Sequence, residues 1–240
     1  MQPYNSTYDG DARGYDLLRD CWLNQRRERF IAAWLAGCAL PDGALVVEIG
    51  SGTGRLLNGL GVRFPHLRFA GIEPIPGYVE YARRQAPPNI AYQQAPLDDV
   101  QSFAGSPRAI LSNDVLHHLP SYEGALHAVA GFASEDCRWL AIEPNCKNLY
   151  TFVKQAIGYG ERNFWPRRFR HAAEGEGWTL RSKGHLFLIP PSFREAAHWM
   201  QALEHRLEAV PFLAGGVYLE LEKAAAVGPR SRRQSLAAAI

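Results

Sequence analysis

An acidic residue followed by three evenly spaced glycines is the stretch of this sequence best suited to chemistry. Residues 46–57 read Val-Val-Glu-Ile-Gly-Ser-Gly-Thr-Gly-Arg-Leu-Leu, which places Glu48 two positions before Gly50, Gly52 and Gly54. The apolar residues before the loop predict a buried parallel strand. The glycines let the backbone turn tightly and approach a ligand, because they carry no Cβ. The stretch therefore predicts a binding loop for a nucleotide-like ligand, the alternative being a glycine-rich turn that binds nothing.

Two other kinds of glycine loop do not fit these residues. A phosphate-binding P-loop needs Gly-Lys-Ser or Gly-Lys-Thr, and here Gly54 is followed by Arg55 and Leu56. A dinucleotide loop spaces its glycines as G-x-G-x-x-G, and the carboxylate of Glu48 would repel a pyrophosphate. The same carboxylate would attract a ligand that carries an ammonium and a sulfonium.

The loop resembles the first motif of class I S-adenosylmethionine-dependent methyltransferases, which is written E/D-x-G-x-G-x-G and is matched at Glu48, Gly50, Gly52 and Gly54. The resemblance implies S-adenosylmethionine as the cofactor and S-adenosylhomocysteine as the product. It also implies that these four residues and Ser51 contact the cofactor.

A second acid follows the loop at the spacing that a ribose contact needs. Glu73 ends the strand predicted over 67–72, where its carboxylate can accept hydrogen bonds from both ribose hydroxyls. In the resembled family the next residues, here beginning with Pro74, lie along the adenine ring. The alternative for Glu73 is a carboxylate that stabilises the start of the helix predicted over 76–86.

One position departs from the resembled family. Many members carry an Asp at about position 96, where it contacts the adenine amino group, and this chain has Pro96. Gln94, Asp98 or backbone groups are left to make that contact.

A pair of histidines follows the fourth predicted strand. Residues 113–120 read Asn-Asp-Val-Leu-His-His-Leu-Pro, which resembles the family's fourth motif in small-molecule methyltransferases. Ligands of open α/β sheets bind beyond the carboxyl ends of the strands, so Asn113 is predicted to line the cofactor. His118 and His117, with His118 favoured, are the candidates to orient the acceptor or remove its proton, since imidazole titrates near neutral pH. The alternative is that these histidines only cap or pack beside a helix start.

Five further residues are predicted to contact the acceptor. Glu143 and Asn145 follow the fifth predicted strand, at the acceptor side of the pocket. Tyr150 and Trp165 belong to a segment that usually carries acceptor specificity in the resembled family; its aromatics form pocket walls or, alternatively, core. Tyr15 lies in a polar, tyrosine-rich N-terminal segment that is either a lid or a mobile terminus.

These residues need a sheet that brings strand ends together. Strand and helix patterns alternate over residues 44–143, which predicts an α/β fold with a doubly wound sheet and helices on both faces. The resemblance implies a Rossmann-like methyltransferase fold with seven mostly parallel strands, the last antiparallel and inserted between the fifth and sixth. Three regions are predicted: a helical or lid segment over 1–40, the methyltransferase domain over 41–223 with an acceptor-side insert at about 146–177, and a flexible tail over 224–240.

Composition narrows the classes of partner. The formal net charge of the 240 residues is +2, too small to indicate nucleic acid, although Arg167, Arg168 and Arg170 form a local basic strip. The four cysteines are scattered and form no C-x-x-C pair, so neither a metal site nor a disulfide framework is predicted. No stretch approaches the ~18 uninterrupted apolar residues of a membrane span. We therefore expect a cytoplasmic protein, and a homodimer stays open.

The resulting hypothesis is in-line transfer of a methyl group from S-adenosylmethionine to a small-molecule acceptor, at oxygen or nitrogen rather than carbon. Positioning of acceptor and methyl group supplies most of the rate, and a His base adds roughly 10²- to 10⁴-fold. The chain lacks the Asn/Asp-Pro-Pro-Tyr sequence of base-modifying amino methyltransferases. Two alternatives stay open: an enzyme that keeps the cofactor as a structural element, and one that methylates RNA or protein, with the basic strip as its contact.

Overall fold

A seven-stranded sheet forms the centre of the computed structural model, which describes residues 11–99, 105–157 and 163–224. The strands in chain order are β1 (Leu45–Ile49), β2 (Arg68–Glu73), β3 (Ile90–Gln94), β4 (Ala109–Asn113), β5 (Arg138–Pro144), β6 (Trp178–Leu186) and β7 (Gly216–Lys223). Their order across the sheet is β3-β2-β1-β4-β5-β7-β6. The pairs among β1 to β5 are parallel, and β7 is antiparallel to both of its neighbours. The predicted sheet, with its last strand inserted between the fifth and sixth, is confirmed.

Helices cover both faces of this sheet. The described α-helices are α1 (Ala12–Leu18), α2 (Trp22–Gly37), α3 (Arg55–Arg63), α4 (Pro76–Gln85), α5 (Tyr122–Phe132), α6 (Leu149–Ile157), α7 (Pro166–Gly175) and α8 (His198–Leu207). On one face, Ile31 of α2 and Leu57 of α3 join the buried apolar cluster of the sheet. On the other face, Leu126 of α5 and Phe169 of α7 do the same. The doubly wound arrangement therefore follows from apolar residues that alternate between two helical layers.

The predicted helix over 192–207 is shorter in the structure, where α8 begins only at His198. The chain before it turns at Pro190 and is held by α8 itself. The buried carboxylate of Glu204 accepts hydrogen bonds from the amides of Leu188 and Ile189 at 3.0 and 3.1 Å. This contact spans a turn that periodicity alone does not reveal.

The predicted regions 1–40, 41–223 and 224–240 stay predictions, and residues 1–10 and 225–240 lie outside the described residues. No helix in the described ranges is long and apolar enough to cross a membrane. Across the same ranges, no group of three or more His, Cys, Asp or Glu residues is placed to hold a metal ion.

Candidate active site

The glycine loop joins β1 to α3 through a turn that requires glycine at two positions. Gly50 has a φ of +69°, and a Cβ there would lie 2.5 Å from Cγ2 of Val115. Gly54 has a φ of +78°, and its Cβ would lie 2.4 Å from the Tyr92 hydroxyl. The carbonyl of Ile72 accepts a hydrogen bond from the Gly50 amide at 2.8 Å, which ties the loop to β2. The loop is therefore fixed in shape at the carboxyl end of the sheet.

A cleft opens between this loop and the N-terminal helices. Three buried oxygens of its lining residues have no hydrogen-bond partner in the described part of the chain: Oε2 of Glu48, Oγ of Ser51 and Oδ1 of Asn113. Buried polar atoms are nearly always hydrogen-bonded, and leaving one without a partner costs about 1–3 kcal/mol. We infer that the cleft is built to receive hydrogen-bond donors from a ligand.

Glu48 gives the strongest of these signals. Its side chain sits one residue before the end of β1 and is 3% exposed. Burial raises the pKa of Glu48 to about 8; the nearby Arg19 guanidinium opposes this shift and Glu73 adds to it. A positively charged ligand group beside the carboxylate would restore its ionised form. The site therefore suits an ammonium group.

Glu73 lies on the neighbouring strand and braces the loop. Its carboxylate accepts hydrogen bonds from the amides of Gly52 at 2.8 Å and Ile75 at 3.1 Å. Burial raises the pKa of Glu73, and these two backbone bonds oppose that rise. An ionised carboxylate has about four acceptor positions, so two hydroxyl donors can still be accommodated. Pro74 follows directly and is half-buried at the same edge.

The adenine contact has no single assignment. Gln94 and Pro96 are both exposed, and the side chain of Asp98 lies outside the described residues. Gln93 was not singled out from the sequence. Its Oε1 is buried and has no hydrogen-bond partner among the described residues, so it joins the candidates.

Helix α1 packs over the glycine loop. Oγ1 of Thr53 donates a hydrogen bond to Asp16 at 3.1 Å, and the Arg55 guanidinium pairs with Asp20 at 2.7 Å. The ring of Tyr15 stacks on Tyr78 at 4.9 Å between centroids and lines the cleft. Tyr15, predicted to contact the acceptor, therefore lies in the same cleft as the predicted cofactor residues.

Four polar residues of the N-terminal helical region line the cleft without having been predicted: Arg19, Asn24, Arg27 and Glu28. Arg27 pairs with Asp114 at 2.8 Å, and Asp114 follows Asn113 at the end of β4. Burial raises the pKa of Asp114, but Arg27 and Arg19 outweigh it, so the pKa is lowered overall. No local motif marks these residues, because their role depends on how α2 packs across the sheet.

His117 is held by a carboxylate from β5. Its Nδ1 lies 2.7 Å from Oε2 of Glu143, and the His117 side chain is 4% exposed. The other oxygen of Glu143 accepts hydrogen bonds from the amides of Val115 and Leu116 at 3.0 and 2.8 Å. Glu143, predicted to contact the acceptor, is thus buried beneath the turn that carries the histidines, with both oxygens engaged.

His118 lies beside His117 but is exposed. The two imidazole rings are 3.9 Å apart between centroids, with an interplanar angle of 40°. Only one histidine of the pair is therefore accessible to an acceptor without rearrangement, and it is the one favoured from the sequence.

The remaining predicted acceptor residues do not line the cleft. Asn145 is buried, and its amide donates to the carbonyls of Pro211 and Ala214 at 2.6 and 2.8 Å. Tyr150 is 71% exposed and Trp165 is 46% exposed. A direct role in acceptor binding stays a prediction for these three residues.

The fold and the site together define a class of protein. A glycine-rich loop after β1, with buried acids on β1 and β2 at the carboxyl edge of a parallel sheet, is the arrangement of Rossmann-like folds that bind a nucleotide-type cofactor. The single inserted antiparallel strand narrows this class to the Rossmann-like methyltransferase fold.

The chain belongs to the methyltransferase-domain family, whose sequence model matches residues 23–209. It is also 33% identical over 124 residues to a trans-aconitate 2-methyltransferase of Methylobacterium nodulans. That match covers 51% of this chain and 45% of the relative, so the chain spans about half the length of the relative it matches. Class I S-adenosylmethionine-dependent methyltransferases are the group that the loop motif predicted.

Solved structures agree on the fold. The complex between the Trm112 methyltransferase activator and its methyltransferase partner from Haloferax volcanii matches with a TM-score of 0.69 and 15% identity, over 92% of this chain and 100% of that chain. Magnesium protoporphyrin IX methyltransferase of Synechocystis, with bound S-adenosylhomocysteine, matches with a TM-score of 0.61 and 15% identity, over 91% and 92%. Geranyl diphosphate C-methyltransferase of Streptomyces coelicolor, also with S-adenosylhomocysteine, has a TM-score of 0.63 and 14% identity, over 83% and 80%. The predicted cofactor, S-adenosylmethionine, is confirmed as the one that fits this family.

Proposed function

We propose that this protein transfers the methyl group of S-adenosylmethionine to a small-molecule acceptor, at oxygen or nitrogen rather than carbon. The observation that carries the proposal is the cleft beside the glycine loop, where Glu48, Ser51 and Asn113 each present a buried oxygen that has no hydrogen-bond partner among the described residues. A ligand with ammonium and hydroxyl donors satisfies these oxygens, whereas a phosphate-rich ligand would not.

Different residues around the cleft bind different groups of the cofactor. Glu48 receives the ammonium group, and Glu73 receives the ribose hydroxyls. Arg19 lines the cleft, and its positive charge acts on Glu48. Arg19 is therefore suited to bind the carboxylate of the methionine part of the cofactor, whose ammonium group Glu48 receives. When bound, S-adenosylmethionine supplies a methyl group on a sulfonium, which is a good leaving group. The protein's task is then to hold the acceptor in line with that methyl group and to exclude water.

We assign the proton transfer to His118 and a positioning role to His117. An O–H or N–H acceptor would donate a lone pair to the methyl carbon, and the sulfonium would leave as the neutral thioether. The acceptor proton must then leave. Glu143 is engaged as an acceptor of backbone N–H groups, so it favours the His117 tautomer with hydrogen on Nδ1. His117 in turn packs against the exposed ring of His118 and fixes its orientation.

Two further points support a small acceptor in a reducing compartment. The relative from Methylobacterium nodulans is named for trans-aconitate, and two structural neighbours are named for other small molecules. All four cysteines are free, which suits the predicted cytoplasmic location. The homodimer stays a prediction.

The experiment is to incubate the protein with S-adenosylmethionine carrying a labelled methyl group and a fractionated metabolite extract. Label in a small molecule, with equimolar release of S-adenosylhomocysteine, is the expected result. Tight binding of S-adenosylhomocysteine without label transfer in any fraction would instead favour a structural cofactor. Label in RNA or protein would favour the macromolecular alternative.

The histidine roles are tested with His118→Gln and His117→Gln once an acceptor is known. We expect His118→Gln to lower kcat by about 10²-fold and to abolish the rise of kcat with increasing pH. His117→Gln should lower kcat less and keep the pH dependence. Equal kcat values for His118→Gln and the unmodified protein would refute the assignment.

A further inference from the structure

A second depression of the described surface lies away from the glycine loop, between α7 and β6. It is an open groove with a volume of about 390 Å³. Two leucines form its apolar floor and three cationic side chains stand around it, with a proline at the helix start. The residues are Pro166, Arg167, Arg170, Leu180, Lys183 and Leu219.

A β-bulge directs one of these cations into the groove. The pairing of β6 with β7 shifts by one residue around Arg181. A bulge re-aims the side chains that follow it. Lys183 consequently pairs with Leu219 on the face covered by α7, whereas Arg181 donates a hydrogen bond to Glu222 at 2.7 Å. Two basic residues of the same strand thus have opposite environments, one in the groove and one ion-paired.

The groove cations lack matching carboxylates. Within the described ranges, no carboxylate lies within 4.0 Å of the charged nitrogens of Arg167, Lys183 or the nearby Lys147. Arg170 contacts Glu174 at 3.4 Å, but both side chains are about half exposed, and such pairs contribute little. Clustered cations without counter-charges concentrate a positive potential.

Partial burial and neighbouring positive charges lower the pKa of two groups in this region. The pKa of Lys183 is lowered by partial burial and then by the charges of Lys147, Arg167 and Arg170. The pKa of His185 is lowered in the same way by partial burial, Lys183 and Lys147. A bound anion would relieve this repulsion at all five positions.

The position of the groove relates it to methyl transfer. In the sheet order, β7 and β5 separate β6 from β4, so the groove lies three strand spacings, or about 14 Å, from β4. Lys147 follows β5 at the carboxyl edge, between the two sites along the sheet. An acceptor that occupies both the cofactor cleft and the groove must therefore be longer than this lateral spacing.

We propose that this groove binds the carboxylate or phosphate end of the methyl acceptor, so that the acceptor is an elongated organic anion with an apolar body. The proposal rests on the proposed methyl transfer for the identity of the occupant. The apolar floor of Leu180 and Leu219 separates it from a site for a bare inorganic ion.

The first test measures binding to the full chain by calorimetry at low ionic strength, with octanoate, octyl phosphate and neutral octan-1-ol as probes. We expect both anions to bind and octan-1-ol not to bind. Lys183→Gln and Arg167→Gln should each weaken binding at least about 10-fold. Two matched controls should bind the probes as the unmodified protein does: Arg181→Gln on the same strand and Arg168→Gln on the same helix. An equal loss of probe affinity in the two controls, or equal binding of octan-1-ol, would overturn the assignment of an anion-binding site to the groove.

The second test identifies the occupant. The labelled products of the metabolite extract are passed over an anion-exchange resin, and S-adenosylhomocysteine binding is measured in parallel for every variant. We expect the label to be retained on the resin and to decrease in Lys183→Gln, while S-adenosylhomocysteine binding is unchanged. Label in neutral or cationic products, or in nuclease-sensitive RNA, would overturn the acceptor assignment. If the unmodified protein did not bind S-adenosylhomocysteine, the proposed function would be refuted. The probe measurements would still decide whether the groove binds anions.

Discussion

Two buried carboxylates at the same edge of the sheet have opposite surroundings. Glu48 on β1 is 3% exposed and keeps an oxygen without a hydrogen-bond partner among the described residues. Glu143 on β5 is 1% exposed and accepts hydrogen bonds from the turn after β4 with both oxygens. Burial and a strand-end position therefore do not by themselves identify a ligand contact. Glu48 differs from Glu143 because it lines the cleft and its buried Oε2 has no hydrogen-bond partner among the described residues, so a ligand donor can satisfy it.

The largest effect should come from the satisfied carboxylate. In Glu143→Gln an amide NH₂ replaces one acceptor oxygen facing the His117 ring or a backbone N–H. We expect the free energy of unfolding, measured with urea, to fall by about 3 kcal/mol. Glu123→Gln, on the exposed start of α5, is the control and should change it little. A loss below about 1 kcal/mol for Glu143→Gln would mean that the network adds little stability.

Glu48→Gln should raise the free energy of unfolding, whereas Glu143→Gln lowers it. The pKa of Glu48 is raised from 4.5 to about 8 in the folded state, so the folded protein binds this proton more tightly than the unfolded chain. Stability of the unmodified, ligand-free protein therefore falls as pH rises from about 4.5 to about 8.

The glutamine variant lacks that dependence. We expect it to be more stable than the unmodified protein by up to about 3 kcal/mol at pH 7, with the difference vanishing near pH 4. Urea unfolding across this pH range is the measurement. A variant that is destabilised at pH 7 would show that the Glu48 carboxylate has an internal partner, contrary to the contrast with Glu143.

Features set by residues close together in the chain could be predicted from the sequence, whereas features set by strand pairing and helix packing could not. The glycine loop, Glu73 and the parallel strands were predictable, because each depends on residues close together in the chain or on alternating burial. The role of Glu143 was not, because its partners lie 26 to 28 residues earlier in the chain and are reached only when β4 and β5 pair. Arg19 and Arg27 carry no motif and meet the cleft only through helix packing.

Binding of S-adenosylhomocysteine should release protons. At pH 7 the Glu48 carboxyl of the ligand-free protein is mostly protonated, and pairing with the ligand ammonium requires its ionised form. We expect release of close to one proton per ligand at pH 7, about half a proton near pH 8 and close to none above about pH 9. Calorimetry in buffers of different ionisation enthalpy measures it. Release that persists unchanged in Glu48→Gln would assign the proton to another group.

The smallest effect concerns the contact between α1 and the glycine loop. Thr53→Val removes the hydrogen bond to Asp16 but keeps the side-chain volume. We expect the affinity for S-adenosylhomocysteine to fall about 3-fold, through faster dissociation measured by stopped flow. Asp42→Asn, in an exposed turn outside the cleft, is the control. An unchanged dissociation rate would show that α1 covers the loop without retaining the ligand.

The role of Glu48 is tested most directly by a calorimetric titration of S-adenosylhomocysteine into the unmodified protein and into Glu48→Gln. We expect the unmodified protein to bind the ligand and the variant, although at least as stable, to bind it about 100-fold more weakly, since a buried charge pair is lost. Glu123→Gln should bind like the unmodified protein. Equal Kd values for the unmodified protein and Glu48→Gln would contradict the claim that this carboxylate is kept without an internal partner in order to bind the cofactor.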